Sequence, residues 1–348
     1  MTLSTTATEN VVKQWDSDFY REYIRSNRFS RYQGTDSNSI IQLKEQLTKK
    51  PGDAITLSLV KALSGAGVTG NTLLEGAEEE LLNYGQQITI QAYRNAVAIT
   101  EWEEQKSALG LRTAARPILK DWAMELNRSK IITAMGSVVA DDGSIVPYAT
   151  ATSTQRDEFI VSNADRVLFG AAKANTKSTF ALSLAELDST NDILKKGTVS
   201  LAKRIAKLAD PIIRPVRVND DEEWYVMFVD SLSFRDLKAD MATTHADAMQ
   251  RGKTNPLFTD GDLMYDGVII REVPEIGALT TNVGQGFLCG AQALGHVIGK
   301  RWASKTDVRD YEFVNGVAIA GYFGTQKLVF NGVQNGMVNV YTYAAADA

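Results

Sequence analysis

Gly65-Ala66-Gly67-Val68-Thr69-Gly70 is a literal G-x-G-x-x-G behind an alternating apolar stretch, and it is the motif here with the most direct route to chemistry. In a dinucleotide-binding fold such glycines let the backbone approach a pyrophosphate at a helix N-terminus. The context opposes that use. The following NTLLEGAEEELLNYG is broken by Gly76 and places Glu78, Glu79 and Glu80 where phosphates would sit. The next strand pattern ends at Ala92-Tyr93-Arg94-Asn95, without the acid that would hold a ribose. The glycines read better as a flexible tip. Asp260, Asp262 and Asp266 in TDGDLMYDG suggest calcium but lack the third ligand and closing Glu of a calcium loop, so an acidic turn is expected. His245 and Asp247 lie two apart on a helical stretch and therefore on different faces. Cys289, His245 and His296 are the only thiol and imidazoles, fewer than the four N or S ligands of a structural zinc site. Neither a nucleophile elbow, nor a His-Glu-x-x-His helix, nor a Gly-Lys-Ser/Thr phosphate loop occurs. No catalytic residue, metal or cofactor is expected, and the chain is not expected to be an enzyme.

The composition fits that reading. The chain has 348 residues, 44% hydrophobic and 23% charged, with a formal net charge of −5. The length allows two or three domains, and the acidic balance is wrong for a general nucleic-acid binder. No apolar run reaches the roughly 18 residues of a membrane span. MTLSTTATENVVKQW lacks the basic-then-apolar order of a signal peptide, so a cytoplasmic product is expected. One cysteine excludes an intrachain disulfide.

Several elements could organise such a chain. Leu109–Gly136 reads as one long amphipathic helix, with Leu111, Ala115, Ile118, Trp122 and Leu126 at helical steps. Arg112, Arg116, Lys120 and Arg128 lie largely off that face. Pro117 should either kink it or restart it at a first-turn position, and Gly136 should end it. Before the helix, Ile55, Leu57 and Leu59 alternate with polar residues, as do Ile88, Ile90 and Ala92 in QQITIQAYRNAVAI. These predict a long projecting hairpin with an elaborate Gly- and Glu-rich tip. A lone two-stranded hairpin is marginal in water, so this arm should be stable only on a partner. Residues 1–50 are polar with scattered aromatics. Trp15, Phe19 and Tyr23 are four apart, as in a short amphipathic helix. The segment reads as an arm without its own core, or as a leader without structure. Residues 150–275 alternate strands and helices as a compact α+β unit, with helices over Asp188–Leu208 and Leu232–Arg251 and strands over Ile212–Val218, Glu223–Val229 and Gly267–Glu272. From Gly284 onward the pattern is mostly β.

This order of arm, hairpin, long helix, α+β unit and returning strands resembles the major capsid proteins of tailed bacteriophages, with the HK-97-like fold. The stretches GDAITLSLVKALSGAGVTGNTLLEGAEEEL, RPVRVNDDEEWYVMFVDSLSFRDLKAD, NPLFTDGDLMYDGVIIREV and GFLCGAQALGHVIGK resemble the N-four-type subfamily of short-tailed phage capsids. The resemblance implies an α+β fold with residues 1–50 as N-terminal arm, 51–96 as extended loop over a neighbouring subunit, 97–149 and 276–348 as peripheral domain with a spine helix over 109–136, and 150–275 as axial domain. It implies a structural protein of the virion capsid, made in the host cytoplasm. Copies would assemble as hexamers and pentamers into an icosahedral shell around double-stranded DNA. A scaffolding protein, a portal and a decoration or cement protein would be partners; DNA contact would be non-specific, with no membrane. Candidate inter-subunit contacts are Trp15, Phe19, Tyr23, Lys61, Glu78, Glu79 and Glu80. Arg21, Arg25, Arg28 and Arg31 are candidates for inward-facing charge, or for pairing with a neighbour's Glu78–Glu80. Some relatives crosslink through a Lys–Asn bond. Lys61 and Asn71 lie in the loop, but no acid is marked for that reaction and crosslinking is not expected. The alternatives are an encapsulin-like protein compartment and a dinucleotide-dependent enzyme using the Gly65–Gly70 loop.

Overall fold

The computed structural model describes residues 25–48, 52–63, 65–71, 73–107, 110–217, 222–250, 258–259 and 262–347. They form two compact units. The smaller combines Ala92–Asn127 with Arg301–Tyr322, and the larger combines Arg28–Gln91, Arg128–Lys300 and Phe323–Ala348.

The larger unit is built on EWYVMFV. Strand Glu223–Val229 is apolar at nearly every position because both of its faces are covered. Tyr225, Met227 and Val229 pack with Val199, Ala202, Ile205, Phe234 and Leu237 of the helices Lys196–Leu208 and Ser231–Gln250. Val226 and Phe228 point the other way, among Phe29, Ile40, Ile41, Ile131 and Met135. The sheet order is Phe258–Thr259, Asp262–Tyr265, Val268–Glu272, Glu223–Val229, Val283–Cys289, Met337–Tyr343, Val167–Phe169. Strand Glu223–Val229 runs parallel to Val268–Glu272 and antiparallel to Val283–Cys289. The pairing therefore joins the 150–275 stretch to strands beyond residue 276. Phe29 and Tyr32 stack edge-on against Phe228 at 5.0 and 5.3 Å, so this end of the N-terminal stretch is core of its own chain. Trp15, Phe19, Arg21 and Tyr23 lie outside the described residues.

Helix Asp188–Leu208 is shorter than its sequence suggests and starts at Lys196. The cause is Asp192. Its buried carboxylate accepts from the Ala171 and Asp188 amides at 2.8 and 3.0 Å and from Asn175 Nδ2 at 3.0 Å. Those bonds hold 188–192 as a turn instead of a helical one. The strand expected over Ile212–Val218 shrinks to Val216–Arg217, and Ile212 is exposed. Helix Ser231–Gln250 begins where Asp230 Oδ2 accepts the Ser233 amide at 3.2 Å, an N-cap.

In the smaller unit, Ala115, Leu119 and Ala123 pack on Val317 and Ile319, with Trp122 edge-on to Trp302 at 5.9 Å. The buried stripe is thus rotated from the expected one, leaving Ile118 about half exposed. Alanines on this face allow the helix backbone close to the strands. Gly321 makes room for the Trp302 ring of the neighbouring strand, which a Cβ there would approach to 2.7 Å. The helix runs unbroken from Leu111 to Met135. Pro117 is well inside it, so the first-turn placement is wrong; the helix tolerates one missing N–H at a partly exposed position. Gly136 N donates to Ile132 O at 3.0 Å and ends the helix as expected.

Candidate assembly surfaces

The projecting hairpin pairs Ala54–Val60 with Asn83–Thr89, Ala54 opposite Thr89 and Val60 opposite Asn83. Its second strand starts three residues before the expected QQITIQ and stops at Thr89, where Ile90 N turns back to Asp53 O at 2.8 Å. Gln91–Thr100 is a separate strand next to Val314–Lys327. The hairpin base is not dependent on a partner. Ile55, Leu57, Leu59 and Ile88 pack with Val297, Leu328 and Phe330, and two glycines admit this packing. A Cβ on Gly295 would stand 2.4 Å from Ile88, and one on Gly324 2.2 Å from the Thr89 carbonyl. Between them Gln86 is buried, donating from Nε2 to Lys327 O and accepting from Val329 N, both at 2.7 Å.

Gln86→Leu should therefore loosen the hairpin without unfolding the sheet. It leaves one buried carbonyl and one buried amide unpaired, a cost of about 2–4 kcal/mol. Hydrogen exchange of residues 83–89 and 327–330 should accelerate strongly while Glu223–Val229 stays protected. Unchanged exchange in 83–89 would show that Gln86 is not the anchor.

Beyond Val60 the hairpin becomes an exposed tip. Lys61 N donates to Leu82 O at 2.9 Å, extending the ladder by one rung, and the Lys61 residue is exposed. Leu63, Leu73, Leu74, Leu81 and Leu82 are all exposed. The stretch from Ala62 to Tyr93 carries four glutamates and no Lys, Arg or His. Glu78 accepts from Gly76 N at 2.8 Å and Glu79 from Gly65 N at 2.7 Å, while Glu80 is exposed. These bonds shape the tip. Gly67, Gly70 and Gly76 take φ of 68°, 69° and 83°, values that favour glycine. No helix follows Gly70 among described residues 73–82, and the Gly65 amide that would face a phosphate is satisfied by Glu79. The dinucleotide alternative loses its structural basis here.

Of the basic candidates, Arg25, Arg28 and Arg31 are all exposed on the surface, and Arg28 Nη1 also donates to Glu272 O at 2.7 Å. The other chemical candidates are accounted for by burial. His296 stands with Nδ1 2.7 Å from Thr325 Oγ1, and burial lowers its pKa to about 4. Burial pushes the Cys289 thiol up to about 12, which removes it as a nucleophile. Asp266 is tied to Lys203 Nζ at 2.9 Å and Ser200 Oγ at 3.2 Å; Asp260 and the side chains of His245, Asp247 and Asp262 lie outside what the structure describes. No group of three or more potential metal ligands occurs among the described residues, and none of their helices is long and apolar enough to cross a membrane.

Sequence reading missed a buried polar cluster behind the hairpin. Lys327 is fully buried and donates to Ser137 O at 2.8 Å and Gln334 Oε1 at 2.9 Å. Gln334 in turn donates through Nε2 to Arg166 O at 3.2 Å, and its backbone N donates to Asn163 Oδ1 at 2.9 Å. Arg166, also fully buried, donates to the carbonyls of Gln334 and of Pro211, the latter at 2.7 Å. The only sequence cue was a lysine embedded in the apolar run of TQKLVF.

Exposed apolar surface of this kind commonly marks contact with other chains. Residues 4–346 match the family model described as phage capsid protein. The chain is 28% identical to the major capsid protein of Pseudomonas phage KPP25, across 95% of this chain and 94% of that one. Among solved structures, the cyanophage Pam1 capsid asymmetric unit matches over 100% of both chains at 34% identity and TM-score 0.92. The capsid of Ralstonia phage GP4 shares the fold at 23% identity and TM-score 0.76, over 99% of this chain and 100% of that one. With nearly its whole length matched to that family and the expected α+β, HK-97-like architecture in place, the chain belongs to the phage capsid proteins.

Proposed function

We propose that this protein is the major shell subunit of a phage head, without enzymatic activity, whose copies form hexamers and pentamers of an icosahedral capsid around double-stranded DNA. The observation that carries this is the hairpin tip: five exposed leucines on an arm whose base is locked by Gln86 and an apolar cluster. Such a surface is unfavourable in an isolated chain and is stabilised only when covered. In a closed shell each contact can be weak because every copy makes several. In this reading residues 1–50 are the N-terminal arm, 51–96 the extended loop, 97–149 with 276–348 the peripheral domain, and 150–275 the axial domain. Trp15, Phe19, Tyr23, Lys61, Glu78, Glu79 and Glu80 contact neighbouring subunits, and Arg21, Arg25, Arg28 and Arg31 face inward or pair with a neighbour's acids. A scaffolding protein, the portal and a decoration protein are the other partners. DNA is held non-specifically, and synthesis is in the host cytoplasm. The relatives at 34% and 28% identity being phage capsids supports this reading over an encapsulin-like compartment.

Purified chain, with its scaffold, should form closed particles by negative-stain microscopy. Replacing residues 62–81 with a two-residue Asn-Gly turn should leave a folded subunit with at least tenfold fewer particles. A parent chain that stays a stable monomer would sink the proposal.

A further inference from the structure

The smaller unit ends in a second, shorter turn that has no role so far. Strands Leu294–Arg309 and Val314–Lys327 are joined at Asp310-Tyr311-Glu312, three successive non-glycine residues with φ of 53°, 52° and 75°. The left-handed region is unusual for a bulky side chain. The turn is nonetheless well closed, with Phe313 N donating to Asp310 O at 3.0 Å and Phe313 O accepting from Glu101 N at 2.8 Å. The result is that Tyr311 is 103% exposed, touching essentially nothing of its own chain. Phe313 beside it is partly exposed. An amphipathic aromatic held clear of the surface on an ordered turn is the residue type that anchors protein interfaces.

A matching hole lies on the same unit. A cavity of about 180 Å³ is lined by Ala96, Val97, Ala98, Gly316 and Ala318, with the exposed Lys305 also in its wall. It is well under the roughly 300–1,000 Å³ of small-molecule sites, and an apolar floor of small residues with a polar rim that includes Thr306, Asp307 and Arg309 suits one tyrosine ring and its hydroxyl. The net charge of the wall also matches: Asp310 and Glu312 flank the tyrosine, and the cavity presents Lys305 beside an Arg309–Asp307 ion pair closed at 2.6 Å.

We infer that Tyr311 of one copy seats in the Ala96–Ala98/Gly316–Ala318 cavity of another copy, with Asp310 and Glu312 meeting the receiving copy's Lys305. Knob and hole are different surfaces of one chain, so the contact is heterologous and can close into a ring. Both belong to one hairpin and the strand beside it, which places the ring's axis next to that hairpin. This rests on the shell-forming reading and adds a contact independent of the leucine tip.

The test places p-azidophenylalanine at position 311 in particles assembled from a mixture of ¹⁵N- and ¹⁴N-labelled chains. Photoproducts should join position 311 of one copy to residues 96–98 or 314–318 of a differently labelled copy. Tyr311→Ala should lower particle yield at least tenfold with the subunit's unfolding midpoint unchanged, and Tyr311→Phe should restore most of the yield. Lys305→Glu should impair assembly and recover when combined with Asp310→Lys and Glu312→Lys. If particles form normally from Tyr311→Ala, or photoproducts in intact particles map elsewhere or within one copy, this inference is wrong while the shell reading stands. A parent chain that forms no particles overturns both.

Discussion

Lys327→Met is expected to flatten the pH dependence of unfolding between pH 7 and about 10.5. Burial lowers the Lys327 pKa from 10.5 to about 7, with the neutral Cys289 thiol among its neighbours. The unfolded chain binds this proton up to pH 10.5 and the folded chain releases it above 7. Through that window the unfolded state holds more protons, so stability rises with pH. The contribution is complete above 10.5, and it is lost as pH falls through the folded value of about 7. A depression from 10.5 to about 7 corresponds to on the order of 5 kcal/mol. Methionine keeps the length, lacks the charge and forfeits the bonds to Ser137 O and Gln334 Oε1. The variant should be less stable than the parent by about 1–3 kcal/mol at pH 10.5. It should be the more stable of the two at pH 6, where the parent buries a cation. Urea unfolding of unassembled subunits at four or five pH values checks this. Parallel curves for the two chains would mean that Lys327 keeps its proton when folded.

Arg166→Leu should destabilise the subunit by about 3–5 kcal/mol, the range for breaking a buried charged network on one side. The guanidinium serves the Gln334 and Pro211 carbonyls from separate nitrogens, with Asp165 as its ion partner at 3.4 Å. Leucine strands those carbonyls in the interior. Arg166→Lys should recover less than half of the loss, because one ammonium cannot span the same fork. The measurement is the denaturant midpoint of the unassembled subunit; a loss under about 1 kcal/mol would show that water reaches those carbonyls. Arg166 and Lys327 share Gln334, so the two substitutions together should depart from additivity.

The legible parts of the fold are those where side-chain period and burial coincide. EWYVMFV reads as a strand over Glu223–Val229 and is one, and the structure adds that both its faces are covered. The long helix and the hairpin announce themselves by period 3.6 and period 2 and differ by a few residues at their ends. Where reading failed, a long-range polar bond had overridden a local pattern. Asp192 cuts the helix short through amides 21 residues away in sequence, at Ala171. Gln91–Thr100 leaves the hairpin because its partner, Val314–Lys327, lies over 200 residues downstream. The helix's buried face was misjudged by hydrophobicity alone. Alanine counts as weakly apolar, yet its small size decides where helix and sheet touch.

The amino-acid sequence by itself determined the order of elements, the absence of a recognisable catalytic constellation and an arm ending in glutamate and leucine. Those properties are local or compositional, and they were enough for the resemblance to phage capsids. Only the tertiary structure decided that the arm's base is locked to its own chain through Gln86. Only it showed that Lys327 and Arg166 are buried, and that Tyr311 stands free above a turn. Burial and exposure depend on residues distant in sequence, and a titratable or aromatic side chain looks the same in a sequence whether it is enclosed or offered to a neighbour.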